Sequence, residues 1–421
     1  MRVILLGAGT EARAAATHFQ AIGAKEVYVV DDHGGTLPGA EQRSLDDAEA
    51  LLPGSLFLRS PGVMPSHPLV SAARKSAELA TTPTGYWLAN HAPAGTITIT
   101  GTKGKSTAAS LIASLLDHAG LSSAVYGNIG QPPLNEPLPT EAHPVVEMSS
   151  YMLDDVPPAE HFHVITNLYQ DHVDWHGSLT AYHEAKLRPF RIGPQSGLAP
   201  RNVIDRYALG TYVSAVEDRV GETDSALTIG EAKVSLSQGI VNFQSVPVRA
   251  NLRVAMAIAL EFLDASQVAQ AARGVVAEYR GLPSRQEVVP STDGRIWIND
   301  PLATIPEAAI EACRGYTDRS LVLLIGGADR RQEFSALEVF LDSHPSVYVV
   351  TFDPGGQRLK VKNRTHADGF DHALQVADEL CPKGGVILFS PAAPSAPPYR
   401  NFQERGEAFR ARAAAAQAPS K

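Results

Sequence analysis

One short segment constrains the fold of this 421-residue chain more than any other, because it joins a strand pattern to a glycine-rich turn and then to a helix pattern. Thr96-Ile97-Thr98-Ile99-Thr100 alternates β-branched residues and predicts a strand. Gly101-Thr102-Lys103-Gly104-Lys105-Ser106-Thr107 follows at once, and apolar spacing predicts a helix over 105–118. Backbone N–H groups in such a turn converge on phosphate oxygens at the start of the helix. The segment therefore predicts a phosphate-binding loop.

The residue types in this loop suit a nucleotide. Lys105 would reach the terminal phosphates, and Ser106 or Thr107 would offer a hydroxyl to Mg²⁺. The strict P-loop pattern asks for glycine at position 99, where this chain has Ile99. The alternative is an ordinary glycine-rich turn with a surface lysine.

Strand and helix patterns alternate along the whole chain. Strand patterns occur at 2–6, 27–30, 144–147, 162–166, 295–298, 321–325, 347–351 and 386–389, and helix patterns at 12–22, 249–263 and 407–419. This alternation predicts an α/β fold with parallel sheets that carry helices on both faces. We expect three domains: a Rossmann-like domain over 1–92, a central P-loop domain over 93–282 and a second Rossmann-like domain over 283–421.

Charge and cysteine content exclude several classes of protein. The chain has 36 Lys and Arg against 45 Asp and Glu, a formal net charge of −9 that disfavours non-specific nucleic-acid binding. Cys313 and Cys381 lie far apart and form no disulfide framework, which suits a reducing compartment. No apolar stretch reaches the ~18 residues that a membrane span needs. We expect a cytoplasmic protein without membrane insertion and, since no interface pattern is present, a monomer.

Three polar features follow the phosphate loop along the chain. Glu147 ends a strand pattern, where an acid can hold the magnesium of a nucleotide. The segment 166–176 contains His172 among several side chains of the kinds that bind metals or substrates. Lys186 lies in a helix pattern. Each feature has an ordinary alternative: a strand-end acid, a polar loop and a surface lysine.

The N-terminal segment carries a second glycine-rich turn. Gly7-Ala8-Gly9-Thr10-Glu11-Ala12 follows the first strand pattern, and Asp31 or Asp32 comes about 20 residues later. Alone, this pattern indicates a dinucleotide such as NAD. The same turn can hold any pyrophosphate, so an NAD-dependent oxidoreductase and a nucleotide-sugar site both stay open.

The joint order of these motifs resembles the Mur ligases, the ATP-dependent amide-bond synthetases of peptidoglycan precursor assembly. The resemblance covers nearly the whole chain. It rests on Gly101–Thr107, Glu147-Met148-Ser149-Ser150-Tyr151, Thr166-Asn167, Asp171-His172, Ala185-Lys186-Leu187, Asn251, Gly281–Arg285, Ile298-Asn299-Asp300, Gly326-Gly327, Ser390-Pro391-Ala392, Ser395 and Arg400–Gly406.

The resemblance implies an ATP site with two Mg²⁺ ions. The residues that it assigns to ATP are Gly101, Thr102, Gly104, Lys105, Ser106, Thr107, Asn251, Arg285 and Asp300. Those that it assigns to the metals are Ser106, Thr107, Glu147, His172 and Lys186. Lys186 matches the family lysine that CO₂ carbamylates, which turns a cation into an anionic oxygen donor suited to a hard cation.

The resemblance also implies two substrates. The residues that it assigns to the UDP-muramoyl substrate are Gly9, Thr10, Asp31, Asp32, Ser60, Pro61, Gly62 and Asn128, and it assigns Ser149 to substrate binding in general. Those that it assigns to the incoming amino acid are Thr304, Arg330, Ser395 and Phe402. The expected function is the ATP-dependent addition of D-glutamate to UDP-N-acetylmuramoyl-L-alanine through an acyl phosphate.

Several positions depart from the family pattern and keep alternatives open. Lys103 stands where asparagine is usual, and Ala250 and Ser284 stand where histidines are common. Leu302 replaces a lysine, whereas Arg330 keeps a positive charge and adds a bidentate fork for a carboxylate. The alternatives are the same chemistry with L-glutamate or another amino acid, and a catalytically inactive homologue.

Overall fold

The computed structural model describes residues 1–135, 142–158, 161–192, 196–210, 212–237, 241, 243 and 246–416. The chain divides into two compact units, one of residues 1–237 and 246–275 and the other of residues 238–245 and 276–421. In the described parts of the chain, no helix is long and apolar enough to cross a membrane.

The first sheet of the larger unit is parallel. Its strands are β1 (Arg2–Leu6), β2 (Glu26–Val30), β3 (Glu41–Gln42), β4 (Ser55–Arg59) and β5 (Leu79–Thr81), and its helices are α1 (Thr10–Ala21), α2 (Leu45–Leu51), α3 (Pro68–Ser76) and α4 (Pro83–Asn90). The strand order is β3-β2-β1-β4-β5. Val3 and Leu5 of β1 belong to one buried core, and Ile4 and Leu6 belong to another. Both faces are thus covered, which explains the continuous apolar run of β1.

The second sheet of this unit is also parallel. Its strands are β6 (Ile97–Thr100), β7 (Ser123–Gly127), β8 (His143–Glu147), β9 (Phe162–Ile165), β10 (Gly197–Ala199) and β11 (Val213–Ala215). The strand order is β11-β10-β9-β6-β8-β7, so β6 lies between β8 and β9. The accompanying helices are α5 (Lys105–His118), α6 (Ser150–Leu153), α7 (Val173–His176), α8 (Leu179–Ile192), α9 (Arg201–Tyr207) and α10 (Val216–Arg219). The loops that follow β6, β8 and β9 therefore meet at one edge.

The expectation of parallel pairing throughout is wrong at residues 221–235. Three short strands, β12 (Gly221–Thr223), β13 (Ala226–Ile229) and β14 (Ala232–Ser235), form an antiparallel sheet there. Tight turns join them, and strands joined in this way pair antiparallel because a parallel pair needs a long crossover. The helices α11 (Val246–Ala259) and α12 (Ala265–Glu278) follow.

The sheet of the second unit is parallel except at one edge. Its strands are β15 (Glu287–Val289), β16 (Ile296–Asn299), β17 (Leu321–Gly326), β18 (Val347–Phe352), β19 (Arg364–His366) and β20 (Val386–Phe389), in the order β15-β16-β20-β17-β18-β19. Only β15 of these strands pairs antiparallel, with β16. The helices are α13 (Pro306–Arg314), α14 (Ser335–Asp342), α15 (Asp353–Gln357), α16 (Gly369–Leu380) and α17 (Phe402–Ala415).

The helix predictions differ in accuracy. The helix after the phosphate loop begins and ends as predicted, at Lys105 and His118. The helix predicted over 249–263 is α11, which begins and ends a few residues earlier. The helix predicted over 407–419 is α17, which begins at Phe402 because the Asn401 side chain accepts a hydrogen bond from the Glu404 N–H and so caps it. Residues 417–419 lie outside the described residues.

Candidate functional site

The phosphate loop has the backbone geometry that its sequence predicts. Gly101 has φ +147°, and Gly104 has φ +78° where it caps α5. A Cβ atom at Gly104 would lie 2.6 Å from the Asn251 Oδ1 atom. The positive φ and this close approach both favour glycine at position 104, and Asn251 of α11 lies at the loop as expected.

Lys105 folds back over its own loop. Its Nζ donates to the carbonyl oxygens of Gly101 at 3.1 Å and of Thr102 at 3.2 Å. Ser106 is buried and Thr107 half-buried in the first turn of α5. The ammonium group thus lies over the loop that we expect to hold phosphates.

Lys186 is not the surface lysine that its helix pattern alone would suggest. It is 1% exposed, and its Nζ donates to the Gly101 carbonyl at 2.8 Å and to the Thr100 Oγ1 at 3.3 Å. Burial away from water, and next the charge of Lys105, hold the pKa of Lys186 well below its ordinary value. Both lysines therefore contact the same loop, and Lys186 loses its proton more readily than an ordinary lysine.

Tyr182 contacts the phosphate loop, although the sequence analysis did not identify it. It is buried one turn before Lys186 on α8, and its hydroxyl donates to the Thr102 Oγ1 at 3.1 Å. The Lys186 ammonium lies 5.0 Å from the centre of its ring. The four-residue spacing of Tyr182 and Lys186 places them on one helix face, and that spacing is the signal that could have identified this contact.

Glu147 reaches the loop edge from β8 as expected. Its side chain is 1% exposed, and its Oε1 accepts from the Asn128 Nδ2 at 3.0 Å. Its Oε2 is buried and finds no hydrogen-bond partner among the described residues. A buried carboxylate oxygen without a partner is costly. Glu147 therefore offers an oxygen ligand to a cation.

Ser149, two residues on, uses its hydroxyl to cap α6 by accepting from the Met152 N–H at 3.2 Å.

The segment after β9 supports the phosphate loop and carries His172. The Asn167 Oδ1 accepts from the Lys103 N–H at 2.9 Å, and the Thr166 Oγ1 donates to the Lys103 carbonyl at 2.8 Å. His172 has φ +46°, is largely exposed, and its Nδ1 lies 2.9 Å from the Tyr151 hydroxyl. The Asp171 carboxylate lies beside it, at 4.0 Å from the Nε2.

These residues do not form a ready-made metal cage. Among the described residues, no group of three or more His, Cys, Asp and Glu side chains is placed to hold a metal ion. Mg²⁺ usually binds through one or two carboxylates with water and substrate phosphates, so it needs no such cage. The unpartnered oxygen of Glu147 fits that kind of site.

The N-terminal turn is built around Asp31. Its Oδ2 accepts from the Ala8 N–H at 2.8 Å, and its Oδ1 accepts from the N–H groups of His33 at 3.0 Å and Gly35 at 2.9 Å. These bonds, led by that of Gly35, lower the pKa of Asp31. Asp32 points elsewhere, since its Oδ2 lies 3.4 Å from the His67 Nε2. Of the two predicted acids, only Asp31 contacts the turn.

The segment Ser60-Pro61-Gly62 lies against this turn. A Cβ atom at Gly7 would lie 2.8 Å from the Ser60 Oγ, and Gly9 begins α1 beside the same hydroxyl. The Ser60 Oγ is buried and finds no partner among the described residues. Thr10 is exposed as the first residue of α1. The structure therefore brings together the residues predicted to face the substrate diphosphate, apart from Asp32.

Glu11 is a second residue that the sequence analysis did not identify. It is 8% exposed, and its Oε2 accepts from the Thr84 N–H at 3.3 Å. Burial raises its pKa to about 7. Two carboxyl groups beside the N-terminal turn, those of Glu11 and Asp31, therefore have pKa values shifted in opposite directions.

In the second unit, Asp300 lies buried after β16. It accepts from the Ser390 Oγ at 3.0 Å and from the Gln286 N–H at 3.2 Å, and burial raises its pKa to about 7. Arg285 is exposed next to Gln286, close enough for its charge to act on the pKa of Asp300. The structure thus places Arg285 near Asp300, as the resemblance implies.

The residues assigned to the amino acid are only partly brought together. The loops that bear Arg330 and Ser395 touch, since the Ala328 N–H donates to the Pro394 carbonyl at 2.9 Å. Arg330 is exposed and Ser395 half-buried. Thr304 and Phe402 are half-buried, but in the described part of the chain no hydrogen bond joins them to that pair.

The sequence matches one family of known proteins over its middle part and relatives over most of its length. The profile of the Mur ligase middle domain matches residues 99–245. A UDP-N-acetylmuramoyl-L-alanine–L-glutamate ligase of Salinispora tropica is 31% identical over 437 aligned positions, which cover 97% of this chain and 96% of that protein. A protein of the same name from Xanthomonas oryzae pathovar oryzae is 33% identical, with 86% of this chain and 82% of that protein covered.

Solved structures share the fold at low sequence identity. The UDP-N-acetylmuramate–alanine ligase of Thermotoga maritima matches with a TM-score of 0.54 and 16% identity, over 98% of this chain and 99% of that one. The MurF ligase of Thermotoga maritima in complex with ADP matches with a TM-score of 0.53 and 15% identity, over 97% and 94%. These likenesses confirm the predicted α/β fold class.

Proposed function

The chain belongs to the Mur ligase family of ligases, and we propose that it joins glutamate to UDP-N-acetylmuramoyl-L-alanine while ATP is cleaved. The observation that carries this proposal is the loop on which two lysines converge, Lys105 and the buried Lys186. The proposal is also supported by relatives that align with most of the chain and share one name.

We propose L-glutamate as the amino acid. D-glutamate was the first expectation from the sequence, and L-glutamate the alternative that the departures at Leu302 and Arg330 left open. The relatives that cover most of the chain are named as L-glutamate ligases, which favours the alternative. Arg330 is exposed on a loop that touches the Ser395 loop, so a substrate carboxylate could reach its guanidinium. Thr304 and Phe402 stay proposed contacts of the same substrate.

ATP would bind at the phosphate loop. The amides of Gly101–Ser106 and the Lys105 ammonium would hold the β- and γ-phosphates, with Thr107 in the first helical turn and Asn251 beside Gly104. Lys105 now donates to two loop carbonyls, and a phosphate would offer it a stronger, charged acceptor in the same place. Arg285 and Asp300 of the second unit stay proposed contacts of ATP.

The residues at this edge fit Mg²⁺. Glu147 would hold one ion with Ser106 or Thr107, because its Oε2 is a buried carboxylate oxygen without a partner among the described residues. His172 and a carbamylated Lys186 would hold a second. When bound there, Mg²⁺ would neutralise charge on the phosphates.

Lys186 has the chemistry that carbamylation requires. Carbamate formation joins a neutral amine to CO₂ and releases a proton, and a buried lysine with a lowered pKa is neutral more often than an exposed one. The carbamate would place an anion beside the Lys105 ammonium, where the unmodified chain has two lysine amines donating to one carbonyl. That exchange places opposite charges side by side.

The reaction that these groups support begins with the carboxylate of the muramoyl substrate. An oxygen of that carboxylate attacks the γ-phosphorus of ATP, ADP leaves, and an acyl phosphate forms. The amine of glutamate then attacks the acyl carbon, and phosphate leaves with the C–O bond electrons. Catalysis here is positioning and charge stabilisation, with Lys105 facing the transferred phosphoryl group. No protein nucleophile is needed.

The N-terminal turn would hold the diphosphate of the UDP substrate. Gly9 and Thr10 open α1, and the unpartnered Ser60 Oγ lies beside them with Pro61 and Gly62 following. In the NAD alternative, an acid at position 31 would bind a ribose hydroxyl. Three backbone N–H groups already use the Asp31 carboxylate, which disfavours that alternative. Asn128 stays a proposed contact of the muramoyl group, and Ser149 and Asp32 proposed contacts with less support.

The domain division at 1–92, 93–282 and 283–421 stays a proposal. It is supported by three separate sheets, parallel except for β15, whose strands lie within 2–81, 97–215 and 287–389. We also propose that the chain acts as a monomer in the cytoplasm and binds no nucleic acid.

The test is phosphate release from ATP with Mg²⁺ and UDP-N-acetylmuramoyl-L-alanine. L-glutamate, D-glutamate and no amino acid are compared, and the product is identified by its mass. We expect release and a new amide with L-glutamate only. Phosphate release with D-glutamate alone would support the proposed reaction but show that the amino acid is D-glutamate and not L-glutamate. No release with either would favour the inactive homologue, and a thermal shift with NAD would reopen the oxidoreductase alternative.

A further inference from the structure

Arg59 is a fully buried arginine to which the proposed reaction gives no role. It ends β4, directly before Ser60-Pro61-Gly62, and its side chain is 0% exposed. Burying a guanidinium is costly unless all its donors are used and a carboxylate pairs with it. The contacts that Arg59 makes are therefore informative about what holds it there.

One side of the Arg59 guanidinium holds the segment that follows it. Its Nη1 donates to the carbonyl oxygens of Pro61 at 3.1 Å and of Val63 at 2.9 Å. Two carbonyls of the segment 60–63 are thus fixed on one planar group. The same segment lies against the N-terminal turn, since a Cβ atom at Gly7 would lie 2.8 Å from the Ser60 Oγ and 3.4 Å from the Val63 Cγ2.

The other side of the guanidinium holds α6. The Arg59 Nη2 donates to the Tyr151 carbonyl at 2.8 Å, and the Nε pairs with the buried Asp155 carboxylate. Helix α6 follows Glu147 by two residues, and Tyr151 also contacts His172 through its hydroxyl. One side chain therefore connects the segment beside the N-terminal turn to the helix beside the proposed metal ligands.

Arg74 binds the same carboxylates from outside. Its Nε donates to the Asp155 Oδ1 at 2.9 Å, and its Nη2 donates to the Asp154 Oδ2 at 2.7 Å. The Arg74 side chain is 39% exposed and has no hydrogen bond to the segment 60–63 among the described residues. Arg74 shares the ion pairs of Arg59 without its carbonyl contacts, which makes it a matched control.

We propose that Arg59 is a positioning residue that couples the UDP-sugar segment 60–63 to α6. This rests on the proposed function, which places the UDP diphosphate at that segment. Binding of the UDP-sugar fixes the Pro61 and Val63 carbonyls, these fix the guanidinium, and the guanidinium fixes Tyr151 and Asp155. The muramoyl substrate thereby orders the helix next to Glu147 before ATP reacts.

Lysine cannot replace this function. Its single ammonium is a point charge, whereas the guanidinium presents five N–H donors in a rigid plane. Arg59→Lys would keep the charge beside Asp155 and lose the simultaneous contacts to Pro61, Val63 and Tyr151. The substitution therefore separates positioning from ion pairing.

The first test compares Arg59→Lys with Arg74→Lys in the full-length enzyme. KM for UDP-N-acetylmuramoyl-L-alanine, KM for ATP and kcat are measured together with the melting temperature. For Arg59→Lys we expect KM for the UDP-sugar to rise at least about tenfold, since the loss of one charge-assisted hydrogen bond is of that size, with KM for ATP within about threefold of the wild type. For Arg74→Lys we expect both KM values to stay within about twofold. Equal KM values in the two variants would overturn the proposal.

A second measurement uses the wild-type protein and needs no variant to fold. Hydrogen exchange of residues 60–63 and 150–153 is followed with the UDP-sugar alone, without ATP. The proposal expects slower exchange in both segments. Protection of 60–63 alone would overturn the coupling and leave the proposed function standing. No protection anywhere in the larger unit would overturn both, since the UDP-sugar would then not bind there.

Discussion

Two glycine-rich turns, Gly7–Gly9 and Gly101–Gly104, have the same place in their sheets and opposite charges around them. Each follows a central parallel strand and opens a helix, and each contains a glycine with positive φ. At the first turn, carboxyl groups are the partners: Asp31 accepts the Ala8 N–H, and Glu11 is buried in the helix that follows. At the second, two lysines donate to loop carbonyls.

The difference shows what a glycine pattern determines and what it leaves open. Glycines allow the backbone to turn sharply and approach its neighbours closely. The charge that a ligand meets comes from side chains that the pattern does not contain. The Lys105 ammonium on the second loop suits a triphosphate, whereas the first turn has already used one amide on Asp31 and suits a less highly charged ligand. The predictions below test this contrast.

The largest effect is expected from Lys105→Ala. If the second loop binds ATP, removing this charge should lower kcat/KM by at least about a thousandfold, which corresponds to ~4 kcal/mol of transition-state stabilisation. Phosphate release under saturating UDP-sugar and glutamate measures it.

Lys103→Ala is the matched control for that loss. Lys103 lies in the same loop, but its side chain is 73% exposed and pairs with Asp171 at 3.3 Å. A surface pair of this kind contributes at most about 1 kcal/mol. We expect less than a tenfold change. Similar losses in the two variants would mean that the loop needs positive charge in general and not the position of Lys105.

A smaller effect is expected from Gly104→Ala, which tests the close approach of Asn251. The new Cβ would lie 2.6 Å from the Asn251 Oδ1, at φ +78°. We expect KM for ATP to rise tenfold or more, because either the loop or Asn251 must move. Gly120→Ala is the control, since Gly120 follows the other end of α5 at φ +80° with no atom within 4 Å of its Cβ. Both variants carry the same backbone strain of about 1–2 kcal/mol. Equal KM values for ATP in the two variants would mean that Asn251 does not contribute to ATP binding.

The phosphate loop was predictable because its information is local. Strand alternation, glycines and Lys105 lie within about a dozen consecutive residues, and the backbone geometry of such a segment depends little on the rest of the chain. The helix after it begins and ends where the pattern placed it. The fold class was predictable for a similar reason, since strand and helix patterns alternate over most of the length.

The burial of Lys186 was not predictable from its own segment. A helix pattern does not say which face packs on which strand, and only the packing of α8 brings Lys186 to the Gly101 carbonyl. The same holds for Glu11, whose burial depends on Thr84 at the start of another helix. The antiparallel strands β12–β14 were missed because they are only three or four residues long, too short for a period to be read.

Gly7→Ala tests the first turn in the same way as Gly104→Ala tests the second. Its Cβ would lie 2.8 Å from the Ser60 Oγ, at φ +87°. We expect KM for the UDP-sugar to rise about tenfold with KM for ATP unchanged, the reverse of Gly104→Ala. Gly23→Ala is the control: Gly23 follows α1 at φ +79° and its Cβ would meet no atom within 4 Å. A rise in KM for ATP instead would contradict the assignment of ligands to the two turns.

The smallest effect concerns the two carboxyl groups of the first turn, whose pKa shifts predict opposite pH dependences of stability. Burial raises the pKa of Glu11 from 4.5 to about 7, so between these values the folded state binds more protons than the unfolded state, and its stability falls as pH rises. Glu11→Gln removes that slope. The melting temperature of the variant, measured relative to that of the wild type, should therefore rise from pH 5 to pH 8.

Asp31→Asn should do the reverse. The N–H groups of Gly35, His33 and Ala8 lower the pKa of Asp31, so its contribution is present above the ordinary aspartate pKa and is lost as pH falls through the folded value. The variant should be less stable than the wild type at pH 7 and approach it below pH 4. If the melting temperatures of the two variants changed with pH in the same direction relative to the wild type, the opposite pKa shifts of Glu11 and Asp31 would be contradicted. Glu11 is buried in the helix after the turn, whereas Asp31 accepts three N–H groups beside the turn. Opposite profiles would therefore show that hydrogen bonding, and not burial alone, sets the charge that a diphosphate meets there.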